Sequence, residues 1–271
     1  MKPTDAASGL RWIREGFQLF RRRPFLFSNL FFAYLMLLFV VGRLPFLGSV
    51  LPPLLLPCFA VFFLQTIHEV SENHRPIRPM RLFSLFSRPV TGRLLALGCL
   101  HLISSGIAVY ASSLMDGGIF MRTAIGMQQE ITPATMPLLV RAFLVFSVIN
   151  ILTTIALWFV APLTAWKSMP LGQALFYNFF TLLRIWKSFI VYIVGCLLFG
   201  LLIPMLVSTL LDILLGRIVS QIFAISILML DVVWVYCTFY CMYVDIFGPP
   251  ASVVEPIREP VQGADTDTDP Q

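Results

Sequence analysis

Apolar positions along the chain gather into six long blocks, at about 25–41, 46–68, 93–114, 138–161, 188–211 and 218–244, separated by short polar or basic stretches. A helix needs about 20 mostly apolar residues to cross a bilayer, and each block is close to that length or longer. The pattern predicts an all-α, polytopic membrane protein with six transmembrane helices.

Between the blocks the pattern changes period. In "LRWIREGFQLFRRR" the apolar Leu10, Ile13, Phe17 and Phe20 recur at helical spacing, and Arg14, Gln18 and Arg21 follow the opposite face. Such a helix is expected to lie in the inner headgroup layer, aromatics down and arginines toward lipid phosphate. Arg14, Arg21, Arg22 and Arg23 are its lipid-facing basic residues. Related stretches recur at "RLFSLFSRPVTGRLLAL" (81–97) and "NFFTLLRIWKSFIVYIV" (178–194), anchored on Phe17, Phe83 and Phe180. A short amphipathic surface helix followed by a two-span hairpin, used three times, accounts for them, as internal duplication does.

Composition agrees with the pattern. Hydrophobic residues make up 58% of the 271, charged residues 12%, which leaves too little polar surface to coat a soluble domain. Charge adds the orientation, because Lys and Arg near span ends stay on the cytoplasmic side. Counted in alternate connections, fifteen of the nineteen fall on one side, and only Arg43, Arg122, Arg141 and Arg217 on the other. Both termini are therefore expected in the cytoplasm, which also requires an even number of spans. The net charge of +5 is explained by this topology, and nucleic acid is not expected as a partner.

Three regions follow: an amphipathic leading helix over 1–24, the membrane domain over 25–248 and an acidic tail over 249–271. The tail, "PPASVVEPIREPVQGADTDTDPQ", has almost nothing to bury and reads as a disordered cytoplasmic extension. The first block follows 24 largely polar and basic residues and is not followed by a small-x-small cleavage site, so it is expected to remain as an anchor.

Candidate chemistry is sparse. Asp231 sits alone in the apolar run "ISILMLDVVWVYC". At heptad spacing Ala224, Asp231, Thr238 and Asp245 form one small or polar stripe; Gly98, His101, Ser105, Ala108 and Ser112 form another, and Ser147, Asn150, Thr154 and Ala161 a third. Small and polar residues mark helix contacts in lipid, since they permit close approach and hydrogen-bond across it. Asp231 is thus expected to face protein, in a polar seam with His101 and Asn150. Such a seam could pass a proton or hold a cation, or could be structural glue.

Other constellations carry less. "HEVSENH" (68–74) sets its histidines six apart rather than four, so it is read as a solvated helix end. Cys237 and Cys241 share a helix face without further ligands, so no metal is expected. Pro52, Pro53 and Pro57 are expected to bend or break the second span. There is no phosphate-cradling glycine loop, no GxSxG and no paired carboxylates with a plausible base. Neither catalysis nor a cofactor is expected.

The segments "GLRWIREGFQLFRRRP", "FSLFSRPVTGRLLALGCLHLI", "WFVAPLTAWKSMPLGQAL" and "YVDIFG", in this order over most of 9–248, resemble an uncharacterised family of six-span inner-membrane proteins of Gram-negative bacteria. More loosely, the repeated surface-helix unit is similar to membrane domains that accompany some glycerophosphodiesterases, although no phosphodiesterase domain is present. The resemblance implies the inner membrane and six helices, and no catalytic residues. The expected role is a non-enzymatic organiser or accessory factor for lipids, anionic ones included, or for a protein partner or second copy. The alternative is a small transporter or channel-like protein using the seam around Asp231.

Overall fold

The protein is described by a computed structural model covering residues 5–44, 47–72, 88–124, 132–133 and 135–250. Every element among these is helical: α1 (Ala7–Arg22), α2 (Pro24–Gly42), α3 (Leu47–Glu72), α4 (Arg88–Asp116), α5 (Ile119–Ala124), α6 (Met136–Ala156), α7 (Val160–Trp166), α8 (Leu171–Leu197), a π-helical turn (Leu198–Leu202), α9 (Ile203–Leu215) and α10 (Arg217–Phe247). Among the described residues six stretches are long and apolar enough to cross a membrane: Pro24–Gly42, Val50–Glu72, Pro89–Asp116, Met136–Trp166, Leu171–Leu215 and Arg217–Phe247. They correspond one for one to the six blocks. The tail from 251, the stretch 81–87 and His74 lie outside the described residues.

Local chemistry sets the breaks. Arg23 leaves the helical region at φ −147°, ψ 61° and Pro24 opens α2; a residue before proline is pushed out of the α region, and proline is tolerated at a first helical position. Gly216, at φ +84°, separates α9 from α10 with a backbone that side-chain-bearing residues rarely adopt. The three prolines of the second span do not end it, for α3 continues through Pro52, Pro53 and Pro57. Each removes one helical N–H inside the 26-residue helix, Pro57 well beyond its first turn, and the helix runs on past all three.

Two spans are compound. The fourth is α6 and α7 with a break at 157–159, and the fifth is α8, the π turn and α9. Pro162 falls in the first turn of α7, where a missing N–H costs little. The segment 171–187 is itself the first part of α8, without the break that separates α1 from α2. The first and third copies of the proposed unit therefore differ, and the repeat is not established.

The helices fall into two packed sets joined at one end. On one side α4 packs on α3 and α6, with Ser104 and Thr153 hydrogen-bonded across the α4–α6 contact. On the other, α10 packs on α1 and α9, and also touches α2 and α3. The α7 segment lies between α3, α4 and α8. Its Val160 and Leu163, with Phe159 just before it, enter one core with Trp12, Tyr192 and Tyr243. A second core joins Phe27, Phe63, Leu64 and Ile67 to Val233 and Tyr240.

Candidate functional site

The first helix is bound more tightly than a floating surface helix. Its buried face is Ser8, Gly9, Trp12, Ile13, Gly16 and Leu19, set against α8 and α10. A Cβ at Gly16 would stand 2.6 Å from the Thr238 amide nitrogen, and one at Gly9 would stand 2.8 Å from that of Tyr192. Only glycine lets the backbones approach this closely, the small-residue contact of helices in lipid. Polar bonds lock the same face. Trp12 Nε1 donates to Asp245 Oδ2 at 2.8 Å, Arg11 bonds the same oxygen at 2.5 Å, and Ser188 Oγ donates to the Asp5 carbonyl at 2.8 Å. Thr238 bonds the Tyr192 hydroxyl at 3.0 Å. Leu10 and Phe17, expected to be the membrane-buried stripe, stay 55% and 50% exposed on the protein surface, at the edge of the docked face.

Arg14, Arg21, Arg22 and Arg23 are all exposed. The Arg21 guanidinium lies 5.9 Å from the centre of the Phe17 ring, so cation and aromatic share one edge of α1.

Between α1, the π turn, the start of α9 and α10 lies a cavity of about 580 Å³. Its walls are apolar apart from Arg14, Asp231 and the indole of Trp234. The Asp231 carboxylate rests over Gly200, where a Cβ would come within 2.8 Å of Oδ2 and 3.0 Å of Oδ1. Pro204, one helical hydrogen bond further on, has no N–H to give the Gly200 carbonyl. The carboxylate thus lies against an irregular stretch of backbone, a common setting for functional sites.

The stripe Asp231, Thr238, Asp245 faces protein throughout, but its neighbours are not those expected. His101 lies on α4, with Nδ1 3.2 Å from the Leu97 carbonyl. Asn150 lies on α6 and donates to the Phe146 carbonyl at 2.8 Å. Both belong to the packed set of α3, α4 and α6, whereas α10 packs chiefly on α1 and α9. Asp231 is therefore not brought together with His101 or Asn150. Shared depth along a span does not determine which helix stands opposite.

Two buried polar clusters had no expected role. His68 is 3% exposed and hydrogen-bonds the Tyr240 hydroxyl at 2.8 Å; Ser71 Oγ lies 2.9 Å from the same hydroxyl. The helix end expected to be solvated is thus turned into the bundle at His68. Asn178, 1% exposed, spans the break between α6 and α7. It accepts from the Phe159 N–H at 2.9 Å and donates to the carbonyls of Ala156 at 2.8 Å and Ile155 at 3.3 Å. Nothing beside Asn178 within "LFYNFF" signals this role, which depends on the break opposite it.

Over 253 aligned residues the chain is 31% identical to a Burkholderia thailandensis protein named "Probable inner membrane protein", covering 90% of this chain and 92% of that one. The chain belongs to that family of inner-membrane proteins. No family model and no solved structure matches it. With six apolar helices of spanning length, it is a multi-pass protein of the bacterial inner membrane.

Proposed function

We propose that this inner-membrane protein is a non-enzymatic organiser of membrane lipids or of a partner protein, acting through the basic face beside α1. The supporting observation is the docking of α1. Its buried face is fixed by glycine contacts and by the Arg11–Asp245–Trp12 lock, while Leu10, Phe17, Arg14 and Arg21 remain exposed along its edge. A helix held at fixed orientation presents apolar and cationic groups to a headgroup layer without the cost of ordering them on contact. In this reading both termini lie in the cytoplasm, where anionic lipid attracts each basic residue by about 1 kcal/mol. A partner protein or second copy would use the same face.

Replacing Arg21, Arg22 and Arg23 together by Gln tests the reading. Lipid or partner co-purifying from native membranes should fall severalfold with fold and abundance intact; unchanged retention would count against it.

A transporter reading has one observation in its favour, the carboxylate of Asp231 on a cavity wall. It requires Asp231→Asn to abolish a pH-dependent flux at unchanged abundance, and loss of abundance alone would mark Asp231 as a packing residue.

A further inference from the structure

Polar groups at the cavity have unused bonding capacity. Trp234 Nε1 is buried without a hydrogen-bond partner in a residue only 7% exposed. Among the described residues Arg14 and Asp231 have no ion-pair or hydrogen-bond partner, and they do not pair with each other although both line the same space. The remaining wall is apolar, with Leu10, Phe17, Ile203 and Leu230 also part-exposed to the membrane side. At about 580 Å³ the space lies within the range of about 300–1,000 Å³ usual for small-molecule sites.

These features specify an occupant by its chemistry. An apolar chain suits the walls, at about 0.8 kcal/mol per methylene buried. The charged groups constrain the head. Charges removed from water need partners. A simple anionic head would satisfy Arg14 and leave Asp231 facing a like charge, whereas a cationic amphiphile would do the reverse. A head carrying both a phosphate and a primary ammonium satisfies both, with the phosphate on the Arg14 guanidinium and the ammonium on the Asp231 carboxylate.

We propose that the cavity between α1, the π turn and α10 is a binding site for one membrane aminophospholipid, its phosphate held by Arg14 and its ammonium by Asp231. This deepens the lipid-organising reading and rests on it. Gly200 has a defined part, since any side chain there would displace the Asp231 carboxyl group. α1 forms one wall, so its docking and the lipid site are coupled.

The test is native mass spectrometry of the delipidated full-length protein, titrated with phosphatidylethanolamine, phosphatidylglycerol or phosphatidylcholine of identical chains. Wild type should bind one phosphatidylethanolamine about tenfold or more in preference to either of the others. Asp231→Asn should remove the preference over phosphatidylglycerol. Arg14→Gln, a surface change that leaves the packed core untouched, should weaken phosphatidylethanolamine and phosphatidylglycerol alike. Gly200→Ala should act like Asp231→Asn. Phosphatidylglycerol binding as well as phosphatidylethanolamine in wild type, an unchanged preference in Asp231→Asn, or undiminished binding of both lipids in Arg14→Gln, would overturn the proposal. The Arg21, Arg22 and Arg23 triple variant keeps the two readings apart. It should retain the one-to-one phosphatidylethanolamine complex while losing bulk lipid; unchanged bulk lipid would count against the organising reading, and loss of the one-to-one complex would overturn the cavity proposal.

Discussion

Asn178→Leu removes a side chain of similar size and all three hydrogen bonds that span the α6–α7 break. Phe159 N–H and the carbonyls of Ala156 and Ile155 would be left without that partner in the packed interior. Side-chain hydrogen bonds in membrane proteins are worth about 0.6 kcal/mol on average and at most about 1.7, so the loss should be about 2–5 kcal/mol. The upper half is favoured, because a buried backbone group left unsatisfied costs about 1–3 kcal/mol. Asn178→Asp keeps the acceptor for Phe159 but sets a carboxylate against the Ala156 and Ile155 carbonyls in a buried site, so it should cost at least as much as Leu. Unfolding in mixed detergent can be followed by tryptophan fluorescence, since Trp158 packs edge-on against Phe189 at 5.2 Å beside the break. If Asn178→Leu were within about 0.5 kcal/mol of wild type, the inference that this residue holds the broken span together would be refuted.

Gly16→Leu should undock α1, costing about 1–3 kcal/mol or more by overpacking against Thr238; faster maleimide labelling at the half-buried Cys241 would report it, and unchanged labelling would contradict it. Tyr240→Phe removes the partner of both His68 and Ser71 and should cost about 1–2 kcal/mol in the same unfolding assay. A double-mutant cycle on Ser104→Ala and Thr153→Val should give a coupling of about 0.6 kcal/mol, and a value indistinguishable from zero would remove their hydrogen bond as a link between α4 and α6. Asp245→Asn should loosen α1 less than Gly16→Leu, because the Trp12 bond can persist to a neutral acceptor while the Arg11 ion pair is lost.

The spans were legible because lipid imposes a long apolar run on each, a signal that survives without knowledge of tertiary contacts. Boundaries were less so. The fifth span extends to Leu171–Leu215, well before the block at 188, because the aromatic segment "LFYNFF" continues as helix into it. The stripe of Asp231, Thr238 and Asp245 was legible as a protein-facing side, since heptad spacing places residues on one face whatever lies across from them. Its partners were not, because pairing depends on which helices meet. Glycines proved the better guide here: Gly9, Gly16 and Gly200 mark the α1–α8, α1–α10 and π-turn–α10 contacts. His68 was misjudged because a helix end rich in Glu and His looks solvated in sequence, whereas Tyr240 reaches it from 172 residues away. Asn178 gave no local sign of its role, which exists only because a distant segment breaks opposite it.

Native mass spectrometry of the protein released from its own membrane, wild type beside the Arg21, Arg22 and Arg23 triple glutamine variant, tests the organising role most directly. The account predicts a retained lipid class or a stoichiometric protein partner with wild type, reduced severalfold in the variant at equal abundance. A wild-type protein released bare, or retention identical in the two forms, would contradict it.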